Sequence, residues 1–124
     1  MMIKDDKVLL VRHTYIPGWF MPGGGLKRGE TLEQAARREA FEETGAQLGE
    51  VTLMGVYTSF LGWKTDHGIV FICRDFKITG QSDGEIAEVH AFSLNELPRD
   101  LWPSHRLRLQ EYAAGIPQPQ FGEW

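Results

Sequence analysis

The chain has 124 residues, 42% apolar and 24% charged, with a formal net charge of −4. That length and composition suit one globular domain with a real core and exclude a disordered chain. The negative balance argues against general nucleic-acid binding, no apolar run approaches the ~20 residues of a membrane span, and a single cysteine, Cys73, forbids an internal disulfide.

The polar opening Met1-Met2-Ile3-Lys4-Asp5-Asp6 does not read as a signal peptide, so a cytoplasmic setting is expected. Lys4-Asp5-Asp6-Lys7 reads as a turn, leaving only Met1-Met2-Ile3 for a strand before it. Val8 to Val11 is an apolar run that predicts a buried strand, continued by Arg12 and His13. Ile16 to Gly25, rich in Pro and Gly, predicts a loop. A helix follows from Thr31 to near Gly45. Thr31 is a good N-cap, Gln34 completes a capping box, and Gly45 suits the left-handed position past the helix end. Val51 to Phe60 and Gly68 to Ile78 predict two strands, the second apolar on both faces near its start. Gly80 to Gly84 is a polar loop, Ile86 to Phe92 another strand, and Asn95 to Leu97 a turn. Ser104 to Ala114 predicts a last helix, with Ser104 as its N-cap and Gly115 as its stop. Strands and helices mixed in this way predict an α/β fold with a curved mixed sheet flanked by helices.

Inside the first helix, Glu39, Glu42 and Glu43 lie three and four residues apart, just after Pro22-Gly23-Gly24-Gly25. With each residue about 100° further round the axis, the three acids fall on the side of Leu32, Ala35 and Ala36, and Glu33, Arg37 and Thr44 fall opposite. Charges on a solvated helix normally oppose the apolar stripe. Carboxylates turned inward repel one another unless a cation joins them, and Arg38 alone does not neutralise three acids. The bland reading is a surface helix with an acidic end, but acids are mildly unfavourable in a last turn. Carboxylate oxygens in such a cluster suit a hard divalent cation. The glycine loop lacks the Gly-Lys-Ser/Thr ending of a P-loop, which disfavours that phosphate-binding chemistry.

Gly24, Glu30, Arg38, Glu39, Glu42, Glu43 and Gly45 stand at the spacings of G-x5-E-x7-R-E-U-x-E-E-x-G-U, with U a bulky aliphatic residue. From Gly24 to Ala46 the chain therefore resembles the Nudix hydrolases, with Ala40 and Ala46 smaller than the U positions prefer. Trp19-Phe20-Met21-Pro22-Gly23 also resembles the family's entry into this box. The resemblance implies one Nudix domain over residues 1–124, an α/β/α sandwich, with its first strand shortened. An open sheet edge is a pairing site, so that short strand makes a homodimer plausible.

The activity implied is hydrolysis of the diphosphate linkage of a nucleoside diphosphate derivative, with Mg²⁺ or Mn²⁺. Carried over by position, Glu39, Glu42 and Glu43 become metal ligands, with a carbonyl near Gly24 completing the shell. Glu42 and Glu39 are candidates to orient or deprotonate the attacking water, and Arg38 holds the carboxylates. Glu30 supports the loop–helix geometry. Relatives carry a further acid in the later segment holding Glu85 and Glu88, and Glu85 at the loop end is favoured. A nucleotide-sensing module without catalysis, and an acidic metal-binding module without a nucleotide, are the alternative functions.

Outside the box, Trp63 and Tyr57 are candidates to stack on a base, as aromatic platforms do, whereas Phe71 and Phe60 read as core. Arg12 and Lys64 are candidates for phosphate contacts. His13, His67, His90 and His105 show no metal-ligand spacing, and Cys73 reads as core. Residues diagnostic of the ADP-ribose, NADH and dinucleoside polyphosphate subgroups are absent, and Tyr57 comes too early for the last of these.

Overall fold

The computed structural model of the chain describes residues 1–124. Strand β1 (Ile3–Lys4) turns back into β2 (Lys7–His13) through Asp5 and Asp6, whose φ angles are 53° and 59°. Two successive left-handed residues match the twist of a tight hairpin, and aspartate tolerates that conformation better than most side chains. Next come α1 (Leu32–Thr44), β3 (Ala46–Leu48), β4 (Val51–Ser59), β5 (Asp66–Cys73) and β6 (Phe76–Ile78). The chain then forms β7 (Ile86–Ser93), α2 (Pro103–Ala113) and β8 (Gln120–Glu123).

β1, β2 and β7 pair antiparallel, with Leu10 opposite His90, while β4 lies between antiparallel β5 and parallel β8. The two groups join where Met2 bridges Cys73 in parallel, the Cys73 N–H donating to the Met1 carbonyl at 2.9 Å. The first strand is short, as expected, and Met1 and Met2 join it to the end of β5 within the chain.

Alternation along the strands sorts side chains onto two faces of this mixed sheet. Ile3, Val8 and Leu10 pack with Trp19, Met21, Leu101 and Leu109 of α2. Met2 and Leu9 pack on the other side with Ala40 of α1, Ala46, Cys73 and Phe76. The helices thus cover opposite faces, giving an α/β/α sandwich. A third cluster, Met54, Tyr57, Val70 and Ile72, extends the core beneath Tyr112 and Trp124.

Two expectations change. The strand expected over Gly68 to Ile78 is two strands, because β6 leaves β4 and pairs with β3, Ala46 facing Ile78. Gly49 permits that switch: its N–H donates to the Asp75 carbonyl at 2.6 Å, and a Cβ there would stand 2.2 Å from the Asp75 carboxylate. Burial on both faces falls in the first half of that expected span, at Val70, Ile72 and Cys73, as the pattern implied. The last helix is capped by Trp102 with Pro103 in its first turn, and Ser104 makes no capping hydrogen bond. Proline lacks the N–H that an N-cap would satisfy and suits the first helical position, so the cap lies two residues back, at Trp102.

Candidate functional site

Local chemistry fixes both ends of α1. Thr31 Oγ1 accepts from the Gln34 N–H at 3.1 Å, and Gln34 Oε1 accepts from the Thr31 N–H at 2.9 Å. At the other end Gly45 has φ 75°, and its carbonyl accepts from the N–H groups of Thr79 and Gly80 at 2.9 Å. A Cβ on Gly45 would lie 2.2 Å from the Gly80 carbonyl oxygen, so only glycine lets this loop approach. One turn earlier, the Asp83 N–H donates to the Glu42 carbonyl at 2.8 Å.

The inward arc of α1 is rotated from the sequence expectation. Leu32 is 49% exposed, because residues 31–34 lie clear of the sheet, whereas Thr44 is buried and donates to the Ala40 carbonyl at 2.6 Å. The buried side runs through Ala35, Ala40, Glu43 and Thr44. Glu39 and Glu42 sit on its flank, half-buried.

The glycine loop reaches this arc in steps. Val11 and Phe20 exchange N–H to carbonyl bonds at 2.9 Å, and the Met21 N–H donates to His105 Nδ1 at 2.9 Å. The Gly23 N–H then donates to Glu43 Oε1 at 2.9 Å. A Cβ on Gly24 would stand 2.5 Å from Glu39 Oε1, so the missing side chain is what lets the carboxylate lie against the loop. Arg38 spans the cluster, donating to Glu30 at 2.7 Å, Glu39 at 2.9 Å, Glu42 at 3.2 Å and the Gly25 carbonyl at 3.0 Å. Lys27 stands 3.9 Å from Glu42.

Glu43 is different. It is 5% exposed, and no cation pairs with it. Burial pushes its carboxyl up to about 7, against the Gly23 hydrogen bond and with the help of Glu39, Asp83 and Glu42. A carboxyl perturbed by burial and by neighbouring acids in a cleft is a functional-site candidate.

The donor set is that of a hard divalent cation: carboxylates of Glu39, Glu42 and Glu43 beside carbonyls of a glycine loop. As the side chains stand, no three acid, imidazole or thiol groups converge on one point, since Arg38 draws Glu39 and Glu42 toward itself. An ion held here exchanges those contacts for its own.

Glu85 is exposed at the entry to β7; its N–H donates to Asp83 Oδ1 at 3.0 Å and its carbonyl accepts from the Thr14 N–H at 2.9 Å. Its backbone therefore adjoins the α1 end, while its side chain makes no hydrogen bond or ion pair with the three glutamates. Glu88 lies opposite Arg12 in the β2–β7 ladder and is exposed. Asp83 is the acid that sequence reasoning missed. Nothing in the polar run Gln81-Ser82-Asp83-Gly84 separates it from solvated residues until the fold docks that run on α1.

Tyr57 is a correction: it is 2% exposed, with Arg108 4.0 Å over its ring and Trp124 packed edge-on at 5.8 Å, so it offers no face to a base. Phe60 is another, exposed at the β4–β5 tip, not core. Trp63 is 89% exposed at the same tip, with Lys64 4.8 Å from its ring, and has no contact with the acid cluster. Arg12 lies 4.6 Å over the Trp19 ring and 3.6 Å from Asp100, beside a cavity of about 400 Å³. Cys73 is buried in the core, as expected.

The chain is similar to known proteins in sequence and in fold. The model of the NUDIX domain matches residues 1–112. An ADP-ribose pyrophosphatase of Methanocaldococcus jannaschii is 38% identical over 101 residues, covering 77% of this chain and 60% of that protein. A putative 8-oxo-dGTP diphosphatase of Bacillus subtilis is 41% identical over 116 residues, covering 90% and 74%. The chain thus spans less than two thirds of the archaeal relative's length. Among solved structures, a NUDIX hydrolase from Nitrosomonas europaea superposes with a TM-score of 0.76 at 27% identity, covering 95% of this chain and 88% of that one.

Proposed function

The chain belongs to the Nudix family, and from that premise we propose that it hydrolyses the diphosphate linkage of a nucleoside diphosphate derivative. The observation that carries this reading is Glu43, a buried carboxylate without a cationic partner, beside two further glutamates and a glycine loop. Relatives named as a pyrophosphatase and a diphosphatase support it. Nudix hydrolases are generally dependent on divalent metal, and for this chain we propose Mg²⁺, with Mn²⁺ as a substitute, held by Glu39, Glu42, Glu43 and a carbonyl near Gly24.

Such an ion, when bound, screens the charge of the diphosphate and lowers the pKa of water. The protein's own work is positioning. Gly23 fixes Glu43 by its N–H, Gly24 leaves room for Glu39, and Arg38 ties Glu30 on the loop side to Glu39 and Glu42. In this reading Glu42, which is half-buried, orients the attacking water, and the Asp83 N–H bonded to its carbonyl supports that reading by fixing the helix end. Glu85 is the flanking acid at the loop mouth. No helix is long and apolar enough to cross a membrane. We propose a cytoplasmic enzyme in which residues 1–124 form one Nudix domain.

The test is release of nucleoside monophosphate or phosphate with Mg²⁺ from nucleoside triphosphates, nucleotide sugars and dinucleotides. Glu42→Gln is expected to lower kcat by about 100-fold or more on the best substrate. Absence of turnover across the whole panel, with nucleotides still raising Tm, replaces the enzyme with a nucleotide-sensing module.

A further inference from the structure

We propose that the cleft between the β2 end and Asp100 is the nucleobase subsite of this protein, and that the Arg12–Asp100 pair reads guanine there. The inference rests on the reading above that the ligand is a nucleotide. The cleft has a volume of about 400 Å³ and is lined by Arg12, His13, Thr14, Tyr15 and Asp100 among others.

Its position relative to the acid cluster follows from three hydrogen bonds. The Thr14 N–H donates to the Glu85 carbonyl at 2.9 Å, the Glu85 N–H to Asp83 Oδ1 at 3.0 Å, and the Asp83 N–H to the Glu42 carbonyl at 2.8 Å. A nucleoside in the cleft therefore lies beside the segment that ends at Glu42.

The walls have the chemistry of a base site. Tyr15 is 70% exposed, and its ring is braced from behind by His13 at 5.2 Å, which itself meets Phe20 at 5.3 Å. A ring held in this way loses little freedom when a base stacks on it. Arg12 and Asp100 stand 3.6 Å apart with side chains 41% and 56% exposed, so an acceptor-only group lies next to a donor-only group and both reach solvent. Guanine displays two adjacent donors, N1–H and the 2-amino group, followed by the O6 acceptor. The carboxylate takes the two donors and the guanidinium takes O6. Uracil shows a single donor between two acceptors, and adenine has an acceptor beside its one amino group, so neither matches this order.

A second observation points the same way. Arg12 Nε and His13 Nδ1 are buried with no hydrogen-bond partner. Buried polar atoms are rarely left unpaired, and both belong to side chains that line the cleft.

The experiment is calorimetric binding of GMP, IMP, AMP and UMP, with Mg²⁺, to the whole chain and to Asp100→Asn and Tyr15→Ala. Wild type is expected to bind GMP most tightly, and IMP, which lacks the 2-amino group, about tenfold more weakly. Asp100→Asn lowers the GMP-to-UMP affinity ratio by about tenfold or more. Tyr15→Ala, at an exposed position, weakens GMP binding by about tenfold with Tm unaltered. Equal affinity of wild type for GMP, IMP and UMP overturns the proposal without any mutation, and so does a ratio unmoved in folded Asp100→Asn. Hydrolysis of the nucleotide panel separates this failure from that of the enzyme reading. Guanine preference without hydrolysis removes the enzyme and keeps the base site; hydrolysis without base preference does the reverse.

Discussion

Each helix buries one charged side chain, and the two are treated in opposite ways. On α2, Arg108 is 2% exposed; Glu111 answers it at 2.8 Å, and the Tyr57 and Trp124 rings lie 4.0 and 5.4 Å from its guanidinium. On α1, Glu43 is 5% exposed and has one N–H, that of Gly23, for a partner. A buried charge with a counter-ion and aromatic faces is part of the packing: it ties α2 to β4 and to the end of β8. A buried charge without a counter-ion opposes folding, and in a loop-and-helix cleft it is the mark of a candidate site. The packed charge and the candidate-site charge are told apart by their partners, not by their depth.

The comparison can be broken most severely at Arg108. Arg108→Met is expected to lower stability by about 3–5 kcal/mol in urea denaturation, because Glu111 is left without its cation. Joint replacement of Arg108 by Met and Glu111 by Leu recovers most of the loss. If the single variant is as stable as wild type, the pair is not structural.

Next is Glu43. Its folded pKa, about 7, lies above its ordinary value of 4.5, so the folded protein holds that proton more tightly than the unfolded chain. The contribution is present below pH 4.5 and lost as pH rises through 7. Glu43→Gln should therefore stabilise the protein by about 2 kcal/mol at pH 8 in chelator, with hydrolysis reduced. A variant less stable than wild type at that pH would falsify the reading of Glu43 as an opposed charge.

His105 gives the same kind of signal with the other sign. Burial lowers its pKa from 6.5 to about 4, so stability is present above pH 6.5 and lost as pH falls toward 4. The loss attributable to this ring is about 2 kcal/mol, and His105→Gln should flatten that limb of the stability–pH curve. The smallest effect is expected at the α1 start, where Thr31→Ala removes the capping oxygen and costs about 1 kcal/mol in the same denaturation assay.

Much of α1 was legible without coordinates. Its cap, its capping box, its glycine stop and the spacing of its acids involve partners no more than four residues apart, and such contacts follow from helix geometry alone. The tight turn at Asp5-Asp6 was legible for the same reason. Elsewhere the pattern misled. Phe76 looked like a continuation of β5, yet its strand pairs with β3, because Gly49 brings residues 26 positions apart into contact. Tyr57 looked like an aromatic platform, and Arg108, from a distant helix, covers it.

The sequence by itself determined that three glutamates and an arginine share one helix behind a glycine loop, because rise and rotation per residue are local properties. Tertiary structure decided which of those acids is buried, that Arg38 reaches Glu30 across the loop, and that Asp83 docks on the helix end at Glu42. Those relations depend on how sheet, loop and helices meet, and partners separated by many residues are selected by the packing of the whole chain.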